Sequence, residues 1–459
     1  MKDKKKCAKR KFLILAGWLV VWQIVSLLCN NSILMVGPAE TAAAFLRNMT
    51  EERFWRTIGN SYVRILSGLL AGILCGMGLA AVSYRWKLLE EIWQPFMTLI
   101  KAIPVASFTV LLLIWWGAPS LSACICFLVV LPHIYVNTLE GLKSTDGQLL
   151  EMAQVFRMPL WNRIFYIYRP ALRPFLESGM KIAIGMAWKS GVAAEVIGTP
   201  DYSIGERLYL SKIYLNTADV LAWTAAAILL SVVTERLFLW VMDKAWALEP
   251  TCSKPARRET DAAQRKTGDI REESDCTTED NGSVCLKVAH IQKSFQELSV
   301  INDYSAVFEK GRTYYFTTPS GSGKTTLFRI LAGLEHPDSG KIIRTGRSVL
   351  LFQEDRLCED YSAVKNVELV TGEKEGARQA LSRLLPPEAL DKPVCQLSGG
   401  MRRRVALVRT MEAEGTVCLL DEPFTGLDEE NRLRAAAYIE EKGKDRTVLI
   451  ATHENVMEK

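Results

Sequence analysis

A lysine and hydroxyl residues set among glycines form the densest chemistry in the chain: Ser320, Gly321, Ser322, Gly323, Lys324, Thr325 and Thr326 fall within "TPSGSGKTT" at 318–326. Backbone N–H groups of such a loop, together with a following helix N-terminus, converge on phosphate oxygens. Lys324 then reaches the β- and γ-phosphates, and the Thr325 hydroxyl is suited to Mg²⁺. The strand-like "TYYFT" precedes the loop and the helical "TLFRILAGL" follows it, which is the order this chemistry requires. The glycine expected six residues before the lysine is replaced by Thr318, which costs on the order of 1 kcal/mol or shifts the turn. Further along, Val417–Leu420 is an apolar run typical of a buried parallel strand, and Asp421 at its C-terminal end is placed to bind Mg²⁺ through water. Ser398, Gly399 and Gly400 at a helix start make a second phosphate-binding nest.

The phosphate loop comes in a fixed order with five further elements: Phe295, Gln353 in "LLFQED", "LSGGM" at 397–401, "VCLLDEP" at 417–423, and His453 in "VLIATHE". The set resembles the ATP-binding cassette of ABC transporters over residues 285–459. That resemblance implies an α/β P-loop NTPase fold with ATP and Mg²⁺ as cofactors. It gives Glu422 the role of the carboxylate that polarises attacking water. Gln353 becomes the residue that senses Mg²⁺ and that water, Phe295 the aromatic that stacks on adenine, His453 the contact to the γ-phosphate, and "TGLD" at 425–428 the loop passing between two cassettes. In the family the signature motif acts in trans, so each chain holds half of each ATP site. A second copy, or a paralogous half-transporter, is therefore implied. Met401 stands where the motif usually has Gln, and the stretch between Gln353 and Leu397 is short, which implies a reduced helical subdomain.

The elements that must carry this cassette are unlike the rest of the chain. Of 459 residues, 49% are hydrophobic and 23% charged, and the mean hydropathy of +0.08 averages two unlike halves. Apolar stretches near Phe12–Cys29, Tyr62–Tyr84, Thr98–Trp116, Leu121–Glu140, Leu176–Ile197 and Val220–Met242 are each about long enough to cross a bilayer. The reading is multidomain: an all-α polytopic membrane domain with about six transmembrane helices over 1–250, a charged flexible linker over 251–284, and the cassette over 285–459. The basic "MKDKKKCAKRK" start and the cations between the fourth and fifth spans put the N-terminus and the cassette in the cytoplasm. A net charge of +5 is too small for a dedicated nucleic-acid binder, and none is expected as a partner. Eleven cysteines without a CxxC pair argue against zinc and against a disulfide framework.

Between the fourth and fifth spans, "LLEMAQVFRMPLWNRIFYIYRPALRP" resembles the EAA loop of bacterial ABC importer permeases, with Glu151, Met152 and Ala153 at the triplet and Ile167 and Pro170 at the distal end. Arg157 replaces the usual glycine and Arg169 the usual leucine. With "GMAWKSGVAAEVIG", the segment around 55–245 is similar to permeases for sulfonates, taurine, nitrate and thiamine precursors. An importer half-transporter in the cytoplasmic membrane, contacting lipid and taking a small solute from an external solute-binding protein, is the function this implies. A membrane-anchored regulatory ATPase and an exporter are the alternatives. Gly68, Gly72 and Gly76 are expected to serve close helix packing. Lys189 is expected to face an anionic substrate, to pair with an acid such as Glu195 elsewhere in the assembly, or to snorkel.

Overall fold

The computed structural model describes residues 2–29, 31, 33–247, 284–296, 298–319 and 321–452. The expected linker up to residue 283, Ser320 and His453 lie outside the described residues. In chain order the helices are α1 (Lys2–Cys29), α2 (Pro38–Met49), α3 (Glu52–Arg85), α4 (Lys87–Ala102), α5 (Val105–Trp116), α6 (Ala118–Lys143), α7 (Gly147–Val155), α8 (Leu160–Arg163), α9 (Arg169–Gly198), α10 (Ile204–Ile213), α11 (Thr217–Ala247), α12 (Lys324–Leu331), α13 (Ala363–Thr371), α14 (Lys374–Ser382), α15 (Gly399–Glu412) and α16 (Glu429–Gly443). The strands are β1 (Val284–Phe295), β2 (Leu298–Glu309), β3 (Thr313–Phe316), β4 (Ser339–Arg344), β5 (Ser348–Leu351), β6 (Val417–Asp421) and β7 (Thr447–Ala451).

The chain divides into two compact units, Met1–Ser144 with Ala171–Glu249, and Thr145–Pro170 with Pro250–Lys459. The EAA-like segment, expected within the 1–250 domain, thus packs into the unit that holds the strands.

In the helical unit, α3, α6 and α11 are long and apolar enough to cross a membrane. The span expected over Thr98–Trp116 is not a single helix: α4 and α5 bend by 101° at the break between them, as in a broken span or a re-entrant loop. Pro104 explains the break, since it lacks an N–H and drives Ile103 into extended backbone (ψ 128°). Of the first expected span the apolar helical part is Ala16–Cys29. By length and composition the described residues hold three spans, or four if the bent pair counts as one, against the six expected. The helix over the expected fifth span, α9, has ample length but carries Arg173, Glu177, Lys181, Lys189 and Glu195.

The glycine stripe packs as expected. A Cβ built on Gly68 would lie 2.2 Å from the Ala123 carbonyl oxygen, and one on Gly72 or Gly76 would press into Val130 or Leu131 of α6. Within the chain Glu195 is engaged by groups other than Lys189. Its Oε2 accepts from Ser61 Oγ at 2.8 Å and from the Gly205 N–H at 3.3 Å, while Lys189 is exposed.

The second unit holds two sheets. Antiparallel β2-β1-β4 forms one, and parallel β3-β7-β6-β5 forms the other. Strands β5, β6 and β7 are buried at every residue, so their sequences are continuous apolar runs rather than alternating ones. The functional loops leave the C-terminal ends of this parallel sheet. Met152, Ala153, Val155, Phe156, Tyr166 and Ile167 of the EAA-like segment join the hydrophobic core of the same unit. Among the described residues eight cysteines are free thiols, and no group of acidic, His or Cys side chains has metal-site spacing.

Candidate functional site

The glycine-rich loop runs from β3 into α12. Gly323 caps α12 at φ +82°, and a Cβ there would lie 2.9 Å from the Val300 carbonyl oxygen, so both its dihedral and the space around it require glycine. Gly321 has φ +80°. Thr318 is not among the positive-φ residues, so the absent glycine costs no backbone strain, and its Oγ1 bonds Ser322 Oγ at 2.7 Å, closing the loop on itself.

Lys324 is buried, and its ammonium donates to the carbonyl oxygens of Thr318 and, at 3.0 Å, Pro319. It stands inside the loop's own cradle, held by bonds that an anionic oxygen can replace. One residue on, Thr325 donates from Oγ1 to Asp421 Oδ2 at 2.8 Å, joining the start of α12 to the end of β6. Burial pushes the Asp421 carboxyl up from its ordinary range, the neighbouring Glu422 charge adds to that, and the Thr325 hydrogen bond opposes it. A buried carboxylate beside a hydroxyl is an all-oxygen donor set that fits a hard divalent cation. Thr326 is half-buried on the same helix.

Glu422 lies just beyond β6 in the left-handed region at φ +50°, a conformation worth roughly 1–2 kcal/mol of strain for a non-glycine residue. Its N–H donates to the Ala451 carbonyl oxygen at 2.9 Å, and its Oε2 accepts from Thr425 Oγ1 at 3.1 Å. The β6–β7 pairing ends at Asp421 and Ala451. Gln353 follows β5 with its side chain exposed. Phe295 ends β1, 45% exposed, with the Lys293 ammonium 5.3 Å from its ring centre. An aromatic face left in solvent suits a flat heterocycle.

Ser398 caps α15, its Oγ accepting from the Met401 N–H at 3.3 Å, and Ser398 and Gly399 are exposed. The second nest therefore opens outward from the unit. Met401 packs partly buried against the core. Asp428 caps α16 by accepting from the Asn431 N–H at 2.9 Å.

Sequence reasoning missed several arginines. Glu151 of α7 takes both guanidinium nitrogens of Arg329, at 2.9 and 2.8 Å, and Arg356 Nη1 at 2.6 Å. These donors hold its carboxyl down at about 2 against the opposing effect of burial. Arg356 also lies 3.8 Å from the Phe352 ring centre, and Arg409, fully buried, stacks over Phe156 at 5.1 Å. Arg347 donates to the Val155 carbonyl oxygen at 3.1 Å, and its guanidinium is pushed down to about 10 by burial and by nearby Arg157. Arg157 itself sits at φ +47° after the end of α7, which is the reason a glycine suits that position. Arg403 donates to four carbonyl oxygens and to Asp355. The only signal for it in the sequence is three consecutive arginines after the Gly-Gly pair, a pattern that reads equally as a solvated helix face.

A protein-family model described as ABC transporter matches residues 301–425, and one described as binding-protein-dependent transport system inner membrane component matches residues 68–244. An aliphatic sulfonates import ATP-binding protein of Rhodococcus jostii is 38% identical over 181 residues, covering 37% of this chain and 74% of that protein. A sulfate/thiosulfate import ATP-binding protein of Synechococcus elongatus is 38% identical over 165 residues, and there the chain spans about half of the relative, 48% of its length. Among solved structures, a putative ABC transporter ATP-binding protein from Pyrococcus furiosus matches with 25% identity and a TM-score of 0.34, over 38% of this chain and 92% of that one.

Proposed function

The chain belongs to the ABC transporters, an import-type permease domain fused to its ATP-binding cassette, and from this premise we propose that it is an ATP-hydrolysing half-transporter that imports a small anionic solute across the cytoplasmic membrane. One observation carries the reading. Helix α12 begins with Lys324 and Thr325 at the phosphate loop, and within the same eight residues Arg329 grips Glu151 of the EAA-like segment. Events at the phosphates and at the membrane-derived loop are thus joined by a single rigid turn-and-a-half of helix.

Lys324 leaves the carbonyls of Thr318 and Pro319 for the β- and γ-phosphates of ATP, with the N–H groups from Ser320 to Thr326 converging on the same oxygens. Phe295 stacks on the adenine. Thr325 and Asp421, with Gln353, would hold Mg²⁺, whose charge would offset that developing on the phosphates. Glu422 accepts hydrogen bonding from a water and takes its proton as the oxygen attacks the γ-phosphorus. The bond to the β-bridging oxygen breaks, giving ADP and phosphate. The assignment of His453 to the γ-phosphate rests on the sequence resemblance alone.

The outward-facing Ser398, Gly399 and Gly400 of a second copy, or of a paralogous half-transporter, complete each site, and a solute-binding protein delivers the substrate from outside. The substrates in the relatives' names, aliphatic sulfonates and sulfate or thiosulfate, support an oxyanion, and an exposed Lys189 on α9 supports it electrostatically. Nitrate-like, taurine-like and thiamine-precursor-like solutes share the reading with lower chemical specificity. No observation favours a regulatory ATPase or an exporter.

The direct test is uptake into proteoliposomes loaded with ATP and supplied with the cognate binding protein. Accumulation that requires ATP inside and is abolished by Glu422→Gln supports the reading. ATP hydrolysis without movement of any solute in the presence of that protein contradicts it.

A further inference from the structure

Two ATP sites built from two chains pose a question that the site geometry itself addresses: how one site registers the state of the other. In each chain α15 bears the signature residues at its exposed start, while the chain's own carboxylates lie behind it at the end of β6. Arg403, one turn into α15, is the side chain that spans the two.

Arg403 is 3% exposed. Nη1 donates to the carbonyl oxygens of Phe352 at 2.7 Å and Gln353 at 3.1 Å, and to Asp355 Oδ1 at 3.2 Å. Nη2 donates to the carbonyl oxygens of Asp421 and, at 2.7 Å, Glu422. These acceptors sit at or just beyond the C-terminal ends of β5 and β6, which are neighbours in the parallel sheet. The planar fork therefore fixes the Gln353 backbone and the Glu422 backbone to each other and both to α15. Glu422 needs such a hold, since its φ of +50° is a strained aim that the surroundings must impose. Arg404 provides the contrast. It ties the same helix to the Leu384 carbonyl oxygen and Asn431 Oδ1, and none of its hydrogen bonds reaches either strand end.

We propose that Arg403 is a positioning residue that couples the two ATP sites: when the signature end of α15 closes on the second chain's nucleotide, Arg403 carries the displacement into the backbone that aims this chain's Glu422 and Gln353. The inference rests on the reading of the chain as a dimeric ATPase. A lysine would keep the charge but can supply only a single ammonium where a two-pronged fork bridges five oxygens. Glutamine would lose both charge and reach.

The test uses the full-length protein in lipid nanodiscs. Binding of a fluorescent ATP analogue, steady-state hydrolysis as a function of ATP concentration, and thermal unfolding are measured for wild type, Arg403→Lys, Arg403→Gln and Arg404→Lys. Both Arg403 variants are expected to bind the analogue within about threefold of wild type, to lose about tenfold or more in kcat, and to show a Hill coefficient falling from above 1 towards about 1. Arg404→Lys is expected to keep wild-type kcat and cooperativity. Wild-type cooperativity retained by both Arg403 variants would overturn the proposal. So would losses in kcat that merely track a fall in unfolding temperature and appear equally in Arg404→Lys. A wild-type protein that hydrolyses no ATP would remove the functional reading itself, and the coupling with it.

Discussion

The two ends of α12 hold their charges in opposite ways. At the start, Lys324 is satisfied by carbonyls of its own loop, and Thr325 and Asp421 by one another. All are neutral or local partners that a nucleotide and a cation can displace. Five residues on, Arg329 is committed to a carboxylate from far along the chain, Glu151, in a two-pronged ion pair that Arg356 reinforces. One end is arranged to exchange partners and the other to keep them. A charge-assisted bidentate pair is roughly twice as strong per bond as a neutral hydrogen bond, so the coupling end should stay docked while the phosphate end cycles.

Substitutions at the two ends should therefore fail differently. The largest effect is expected for Glu422→Gln, with kcat for ATP hydrolysis lower by about 10²–10⁴-fold and nucleotide binding retained, measured by phosphate release and by equilibrium binding. Asp421→Asn should come next, removing the Mg²⁺-dependent part of nucleotide affinity, by about tenfold or more in a titration with and without the cation. At the opposite end, Glu151→Ala should leave hydrolysis within about threefold yet cut solute uptake per ATP by about tenfold.

The Glu151 contribution has a defined pH window. Its carboxyl is held at about 2 in the folded chain, below the ordinary value of about 4.3. The ion pair is fully present above that ordinary value and is lost only as pH falls towards about 2. Uptake per ATP should be flat from about pH 6 to 8, and the Glu151→Ala deficit should be the same at both ends of that range. The smallest effect is expected for Arg157→Gly. Relief of a left-handed non-glycine backbone and of the charge beside Arg347 favours the variant, while loss of the Arg157 side chain's own contacts and glycine's greater entropy when unfolded oppose it, so the net change should stay within about 1 kcal/mol, as read by denaturant unfolding.

The phosphate end was readable from sequence because its chemistry is contiguous. A loop of nine residues carries Lys324 and Thr325, and an unbroken apolar strand delivers Asp421 and Glu422. The coupling end depends on pairs separated by 178 and 205 residues, and no local pattern names Arg329 or Arg356 as the partners of Glu151. Arg403 was hidden for a related reason: a buried arginine whose acceptors are backbone carbonyls leaves no complementary residue type to search for. Thr318 shows the reverse, a departure that looked costly by residue type and is harmless because its φ is not left-handed. In the helical unit, Pro104 was visible inside an expected span and marks the place where α4 and α5 part. The apolar stretch around it has the composition of a single helix, and composition carried the expectation.

The central claim is that α12 joins hydrolysis to transport through Arg329 and Glu151. Uptake and phosphate release measured together in the same proteoliposomes, for wild type and Glu151→Ala, address it most directly. The account predicts that the variant hydrolyses ATP at near the wild-type rate while solute accumulation collapses. Uptake and hydrolysis falling in strict proportion, or both remaining at wild-type levels, would contradict it.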